Sequence, residues 1–226
     1  MALALAALVF ACLWSFVLPD AQGDALFALR NSLRATPDQL GDWNQNQVNP
    51  CTWSQVICDD NNSVTSVTLS YMNFSGTLSP RIGILNTLKT LTLKGNGITG
   101  GIPEEFGDLS SLNSLDLEDN RLTGPIPSTL GNLKNLQFLT LSRNSLNGSV
   151  PESLTRLSNL INLLLDSNNF RGQIPESLFE IPKYNFSGNS LNCGNPNPHP
   201  CVSEDKGSGG SNKPKTGIIA GVVSAV

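Results

Sequence analysis

The stretch Leu88-Lys89-Thr90-Leu91-Thr92-Leu93-Lys94-Gly95-Asn96 decides the fold of this chain, because its pattern returns at a fixed interval. The pattern Leu-x-x-Leu-x-Leu-x-x-Asn begins again at Leu112, Leu136 and Leu160, each copy 24 residues after the one before. A weaker first copy begins at Val64 and has Met72 in the place of the asparagine. Each copy continues into a second part, x-Leu-x-Gly-x-Ile-Pro, which ends at Ile102-Pro103, Ile126-Pro127, Val150-Pro151 and Ile174-Pro175, with Leu78-Ser79 as the imperfect first version.

This spacing predicts a leucine-rich-repeat solenoid. Alternating leucines form a short strand whose apolar side chains point to one side. One copy cannot bury that side alone, so neighbouring copies stack and their strands join into a parallel sheet on the inner face. We therefore predict a solenoid with a short inner parallel sheet, an N-terminal helical cap and a C-terminal cap held by paired cysteines.

Two columns of identical residues have structural roles in this fold. The asparagines stand where the chain leaves each strand, and an amide there can bond backbone groups that the turn leaves unpaired. The glycines mark tight bends and close approach of backbones. The columns consist of Asn96, Asn120, Asn144 and Asn168, and of Gly76, Gly100, Gly124, Gly148 and Gly172.

The composition argues against catalysis and against nucleic-acid binding. The formal net charge of −4 gives no general basic surface. The single histidine, His199, lies in a proline-rich tail, so a Ser-His-Asp or Cys-His site is not expected. Paired carboxylates such as Glu104-Glu105 have no cleft that would shift a pKa, and no kinase motif is present in the sequence. We predict that the chain itself is no enzyme and needs no cofactor or metal.

The first 23 residues read as a secretory signal, with cleavage near Ala21-Gln22-Gly23. A retained anchor is the alternative. Secretion would remove Cys12 and leave four cysteines in an oxidising compartment. Their positions predict the local bridges Cys51–Cys58 and Cys193–Cys201, one on each side of the repeats. A zinc site is the weaker alternative, because the cysteines are too far apart for four-ligand coordination.

The rest of the chain divides around the repeats. The N-terminal cap is predicted over 24–63, five repeats over 64–183 and the C-terminal cap over 184–201. A flexible linker over 202–216 precedes the apolar run 217–226, which is half as long as a membrane helix requires. The membrane is therefore a partner only if this run is completed or inserts. In a secreted chain, the possible glycan acceptors are Asn61, Asn73, Asn147 and Asn185.

The residues between the leucines should form the functional surface on the inner face. Lys94 and Glu118 occupy the same column on neighbouring strands, where they can pair. Tyr71, Phe138 and Leu164 should lie on the outside of their strands, where an exposed apolar side chain often marks an interface. Asn113 and Ser142 should also face solvent.

The chain as a whole resembles the ectodomain of a plant leucine-rich-repeat receptor-like kinase, and most closely the somatic embryogenesis receptor kinase family. The residues that carry the resemblance are the Asp24-Ala25-Leu26 opening, the Asn49-Pro50-Cys51-Thr52-Trp53 cap, five repeats and the second cysteine pair. The family implies a co-receptor that closes over a ligand held by a larger receptor. Its steroid-binding members have Phe-His where this chain has Ser54-Gln55, so those contacts cannot be transferred.

We therefore predict a cell-surface receptor or co-receptor ectodomain that binds a larger leucine-rich-repeat ectodomain, with or without a peptide ligand. The chain would follow the secretory pathway to the plasma membrane, or to the apoplast if a truncated form is released. The alternative is a soluble apoplastic decoy or an inhibitor of a cell-wall hydrolase. The predicted partner-binding residues are Ser54, Gln55, Tyr71, Lys94, Glu118 and Phe138.

Overall fold

The computed structural model describes residues 20–44, 49–193 and 199–203, and these residues form a leucine-rich-repeat solenoid. The predicted fold class is confirmed. From the second repeat to the fifth, the second residue after the repeat's first leucine begins a three-residue strand, and the central leucine of that strand is fully buried. Because every repeat has the same length, equivalent residues of neighbouring repeats stand opposite each other in the sheet.

Seven strands form the inner sheet, and all neighbours except the first pair are parallel. The antiparallel strand β1 precedes the repeats and covers the sheet edge that the first repeat would otherwise expose. The sequence did not predict this strand. The inner strands are β1 (Val56–Cys58), β2 (Val64–Thr68), β3 (Thr90–Thr92), β4 (Ser114–Asp116), β6 (Phe138–Thr140), β8 (Asn162–Leu164) and β10 (Lys183–Asn185).

A second parallel sheet of four strands lies on the side of the solenoid where the inner strands end. It forms after each asparagine, around the glycines of the Leu-x-Gly turn, which have positive φ angles near 80° to 90°. This lateral sheet was not predicted, because its short strands carry no apolar alternation. Its strands are β5 (Thr123–Gly124), β7 (Ser145–Gly148), β9 (Asn169–Gln173) and β11 (Ser190–Asn192).

Short 3₁₀ helices form the outer side of the solenoid. From the second repeat onward, each helix begins directly after the proline of the Ile-Pro pair. Proline favours the extended backbone of this position, where its missing backbone N–H is not required for a hydrogen bond. The glycine in such a helix lies against the next repeat: a β carbon on Gly107 would stand 2.5 Å from the Thr129 carbonyl oxygen. The 3₁₀ helices are Pro50–Thr52, Pro80–Ile84, Glu104–Asp108, Ser128–Asn132, Glu152–Arg156 and Glu176–Glu180.

The asparagine column fastens each repeat to the one before it. The Asn120 amide donates to the carbonyl oxygen of Leu93 in the preceding repeat at 3.0 Å and to that of Leu117 in its own repeat at 3.1 Å. Its Oδ1 accepts from the Ile98 backbone N–H at 3.1 Å. One side chain therefore satisfies backbone groups of two repeats. The first repeat has no earlier repeat to bond, and Met72 is accommodated in its asparagine position.

The asparagine column continues beyond the five predicted repeats. Asn189 donates to the Leu165 carbonyl oxygen at 3.0 Å and accepts from the Phe170 N–H at 3.1 Å. Tyr184 stands opposite Leu163 in the inner sheet, so Tyr184-x-Phe186-x-x-Asn189 repeats the Leu-x-Leu-x-x-Asn pattern. The spacing from Asn168 is 21 residues instead of 24, so the 24-residue period did not predict this shortened copy.

The N-terminal cap consists of helix α1 (Ala21–Ser32) and a pair of tryptophans. The helical spacing of Leu26, Leu29 and Leu33 is confirmed, and all three are fully buried. The rings of Trp43 and Trp53 stack with centroids 5.6 Å apart and close the open end of the first repeat. The predicted bridge Cys51–Cys58 is present and joins a 3₁₀ helix to β1.

The C-terminal cap is held by the predicted bridge Cys193–Cys201. The segment after it bonds the free edge of β10: Phe186 N–H donates to the Cys201 carbonyl at 2.8 Å, and Ser203 N–H to the Tyr184 carbonyl at 3.0 Å. The His199 ring stacks on Phe179 at 4.7 Å, and its Nε2 lies 2.8 Å from Glu176 Oε1. Because the four cysteines among the described residues are in disulfides, they offer no thiolate ligand for the zinc alternative.

Several predicted segments lie outside the described residues. These are residues 1–19 of the predicted signal, Cys12, the linker from residue 204 onward and the apolar run 217–226. Helix α1 begins at Ala21, inside the predicted signal boundary. Within 20–44, 49–193 and 199–203, no helix combines the length and the apolar character that a bilayer crossing requires.

We expect Asn120→Ala to lower the free energy of unfolding by about 2–3 kcal/mol, because carbonyl groups of two repeats lose their donor and stay buried. The matched control is Asn113→Ala in the same repeat, whose amide reaches only a carbonyl 3.5 Å away. That variant should change stability by less than about 0.5 kcal/mol. Urea denaturation followed by circular dichroism measures both, and equal losses would contradict the structural role of the ladder.

Candidate functional site

The outward-facing residues of the inner sheet form columns that cross the strands. One column lies near the beginning of the strands and contains Ser66, Thr90, Ser114 and Phe138. Another lies just beyond the strand ends, where backbone hydrogen bonds from repeat to repeat keep the register. Neighbouring members of a column are about 4.8 Å apart. The two edges of the face therefore carry separate rows of side chains.

A line of charges runs along the edge where the strands end. Lys94 Nζ lies 2.6 Å from Glu118 Oε2, which is the pair predicted from the sequence. Arg143 lies 2.6 Å from the other oxygen, Glu118 Oε1, and this second partner was not predicted. Glu118 is mostly buried between the two cations, whereas Arg143 is half exposed. The residue that matches Glu118 in the next repeat is Ser142, and Arg143 is the residue after it. Pairing equivalent positions of neighbouring repeats therefore does not predict the contact between Arg143 and Glu118.

Burial and charge shift two pKa values at this edge. The pKa of Lys94 is raised above its ordinary value, mainly because its ammonium group donates a hydrogen bond to Glu118. The pKa of Asp116 is raised because the half-buried carboxyl is desolvated, and this outweighs its hydrogen bond from the Glu118 N–H and the nearby charge of Lys94. Glu118 thus stabilises the charged form of Lys94, whereas desolvation makes the ionised form of Asp116 unfavourable in the folded protein.

Tyr71 lies at the same edge, and Gly95 supports its ring. Tyr71 has a left-handed backbone, with φ of 56°, and its side chain is 68% exposed. A β carbon on Gly95 would stand 2.2 Å from Tyr71 Cδ1, so the ring fits only above a glycine. The equivalent positions in later repeats, Asp119 and Arg143, are also left-handed without being glycine. Gly95 is therefore required by the tyrosine ring more than by its own φ.

Ser54 and Gln55 lie in the cap beside this edge. The Ser54 hydroxyl donates to Asp42 Oδ1 at 2.9 Å, and its backbone N–H donates to Asp42 Oδ2. The Gln55 carbonyl accepts from the Thr68 N–H at 3.1 Å, which aligns the cap with the end of β2. Both side chains are exposed. The Ser54 hydroxyl is therefore hydrogen-bonded within the cap, whereas the side chain of Gln55 is exposed to solvent.

Phe138 lies at the opposite edge of the face from the line of charges. It is 38% exposed and stands in the column of Ser66 and Thr90. The same column begins with Ile57 on β1, which is paired with Ser66 and 62% exposed. Sequence reasoning missed Ile57 because it did not predict β1. The structure thus brings together Tyr71, Lys94 and Glu118. Phe138 shares the opposite column with Ile57, and three strands separate the two side chains.

One predicted solvent-facing residue is buried. Ser142 was expected to face solvent, but its hydroxyl is enclosed and donates to Asp166 Oδ1 at 2.5 Å. It follows Glu118 in the column, where a small side chain leaves room for Arg143 to reach the carboxylate. Leu164, expected on the outside, is half buried. Within the described parts of the chain, no three His, Cys, Asp or Glu side chains are grouped as metal ligands would be.

Comparison with known families adds to this geometry. Residues 19–59 match the leucine rich repeat N-terminal domain, and residues 87–109, 111–133, 135–157 and 159–181 match the Leucine Rich Repeat. A probable LRR receptor-like serine/threonine-protein kinase of Arabidopsis thaliana is 85% identical over 226 residues, which is 100% of this chain and 37% of that protein. This chain belongs to the ectodomain family of plant leucine-rich-repeat receptor-like kinases.

The predicted relationship to the somatic embryogenesis receptor kinases is also confirmed. The LRR receptor kinase SERK2 of Oryza sativa subsp. japonica is 70% identical over 212 residues, 94% of this chain and 35% of that protein. The chain thus spans little more than a third of the length of these relatives, and their kinase domain lies outside the part that it covers.

Solved structures of similar ectodomains include complexes. A chain of the BIR3–SERK2 complex from Arabidopsis thaliana superposes with a TM-score of 0.67 at 32% identity, over 77% of this chain and 96% of that chain. A chain of the complex of the receptor kinase HAESA with the peptide hormone IDA and the co-receptor SERK1 gives a TM-score of 0.66 at 32% identity, over 76% of this chain and 30% of that chain.

We expect Asp116→Asn to stabilise the fold at neutral pH. The folded pKa of Asp116 is raised, so the folded chain holds its proton more tightly than the unfolded chain does. The wild type therefore loses stability as pH rises from the ordinary aspartate pKa of about 4 through the raised value, and the asparagine variant does not. Melting temperatures across this range measure the effect; the two proteins should converge in acid. A variant that is less stable at pH 7 would contradict the cost assigned to this carboxylate.

Proposed function

We propose that this chain is the ectodomain of a cell-surface receptor or co-receptor that docks on a larger leucine-rich-repeat ectodomain, with or without a peptide ligand. The observation that carries the proposal is the arrangement around Tyr71: an exposed aromatic ring is seated on Gly95 beside a line of fixed charges. Aromatic anchors next to polar, solvent-accessible groups are typical of protein interfaces.

The shape of the solenoid supports a larger protein partner. Five repeats and a shortened sixth form too short an arc to enclose a large ligand alone. The edge with Tyr71, Lys94 and Glu118 is continuous with the cap residues Ser54 and Gln55, so a partner could contact the cap and the first repeats together. The relatives in solved complexes bind other ectodomains or a peptide with a receptor, which is the same class of partner.

The two kinds of side chain would contribute differently to binding. Tyr71, Ile57 and Phe138 would supply apolar contact area. Lys94, Glu118 and Arg143 would orient the partner and set the association rate more than the affinity. Because Glu118 already uses both carboxylate oxygens within the chain, the partner would meet a pre-organised ion pair instead of an isolated charge.

Glycans introduced on the inner face should block the partner. Ser66→Asn and Thr90→Asn each create a glycan acceptor with a single change, because Thr68 and Thr92 already follow two residues later. Arg121→Asn does the same before β5, on the side of the lateral sheet, and serves as the control. Binding to the BIR3 ectodomain and to IDA-loaded HAESA ectodomain is measured by calorimetry.

Both inner-face variants should weaken binding at least tenfold, about 1.4 kcal/mol, while the Arg121 variant should bind within twofold of the wild type. Glycan occupancy is checked by mass spectrometry in each case. Equal binding by all glycosylated variants would show that the interface does not lie on the inner face. Failure of the wild type to bind either probe would contradict this class of partner, and inhibition of a cell-wall hydrolase would then favour the alternative function.

The seat of Tyr71 can be tested separately. In Gly95→Asn the new side chain displaces the tyrosine ring, because its β carbon would stand 2.2 Å from Cδ1, yet asparagine tolerates the left-handed backbone. We expect a loss of affinity as large as that of Tyr71→Ala. Ser167→Asn is the control, since Ser167 has the same left-handed conformation in a later repeat. Wild-type affinity in Gly95→Asn would show that the ring position is unimportant.

A further inference from the structure

Asn185 is the last residue of β10 and lies four residues before the ladder asparagine of its copy, Asn189. The ladder asparagines spend their amide nitrogens on backbone carbonyls, as Asn168 does with Leu141, Leu165 and Asp166. Asn185 instead holds its Oδ1 towards Ser187, accepting from the backbone N–H at 3.1 Å and from the hydroxyl at 2.7 Å. In the described structure its Nδ2 donates no hydrogen bond. The amide nitrogen is therefore fixed in direction and free.

Two apolar residues flank Asn185 in the sheet. It stands on β10 opposite Leu164 of β8, in a column that runs through Thr140. On its other side it forms an antiparallel bridge with Val202, which is partly exposed. Side chains paired across a sheet share one face. The free amide thus projects from the inner face between two apolar side chains that the protein leaves incompletely covered.

We propose that Asn185 carries an N-linked glycan that covers Leu164 and Val202 and closes the C-terminal end of the inner face to protein partners. The sequence Asn185-Phe186-Ser187 has the required acceptor pattern. This inference rests on the proposed cell-surface role, because the transfer takes place in the secretory pathway. It limits the partner to the cap and the strands up to β6.

The transfer needs a lipid-linked oligosaccharide pyrophosphate as donor. Asn185 Nδ2 forms a bond to the anomeric carbon of the first sugar while the bond from that carbon to the pyrophosphate oxygen breaks. The lipid pyrophosphate leaves with the bonding electrons, and Nδ2 loses one proton. The folded structure accepts the product, because the hydrogen bonds of Asn185 use only its carbonyl oxygen.

Two measurements on the full chain, secreted from a glycosylating host, test the proposal without a partner. Enzymatic glycan release in heavy-oxygen water labels each asparagine that carried a glycan, and Asn185 should be labelled. Hydroxyl-radical oxidation should then rise at least threefold at Leu164 and Val202 in Ser187→Ala, which keeps Asn185 but removes the acceptor pattern. Phe138 should be unchanged. Ser149→Ala, which removes the acceptor at Asn147 in the lateral sheet, is the matched control and should change neither residue.

An unlabelled Asn185 in the wild type would overturn the proposal, as would equal oxidation of Leu164 in wild type and Ser187→Ala. Asn185→Gln repeats the test if loss of the Ser187 hydroxyl disturbs the cap. With the BIR3 ectodomain as probe, Ser187→Ala should bind within twofold of the wild type; a tenfold gain would show that the partner reaches β8. If BIR3 does not bind, the proposed function fails while the labelling and oxidation results still decide the glycan.

Discussion

The fold depends on one hydrogen-bonded side chain in each repeat. At the end of an inner strand the backbone must turn, and its carbonyl groups would be buried without donors. A single asparagine supplies donors to the repeat before it and to its own repeat, and its oxygen accepts from a backbone N–H in the turn of the repeat before it. Because an orphaned buried carbonyl costs on the order of 1–3 kcal/mol, the stacking of leucines alone could not set this register.

The ladder also explains why the proposed partner-binding residues lie where they do. The residue before each asparagine takes a left-handed conformation, so its side chain leaves the sheet and points to solvent. Side chains at these positions just beyond the strands therefore do not pack in the core. Tyr71 and Arg143 are two of them. In the first repeat the asparagine is absent, since there is no earlier repeat to bond, and Gly95 of the second repeat supports the ring of Tyr71.

Structural features that repeat with the 24-residue period could be predicted from the sequence, whereas features without that period could not. The inner strands, the cysteine pairs and the Lys94–Glu118 contact follow from spacing alone. Strand β1 and Ile57 were missed because an antiparallel cap strand of three residues has no repeating signal. The shortened copy ending at Asn189 was missed because its period is different. Ser142 appeared exposed because the sequence does not show that Asp166 would accept its hydroxyl.

The two ends of the inner face differ in which groups they leave exposed. At the N-terminal end the cap leaves Ile57 exposed at one edge of the face, and Tyr71 is exposed beside a pre-organised ion pair at the other edge. At the C-terminal end the chain returns along the free edge of β10, and its backbone saturates that edge. An edge whose hydrogen bonds are satisfied cannot be extended by another strand. If the chain binds a partner as proposed, that partner would gain most by approaching from the N-terminal cap, where exposed apolar side chains and fixed charges lie on the same part of the face, and the asymmetry of the caps would give the interface its direction.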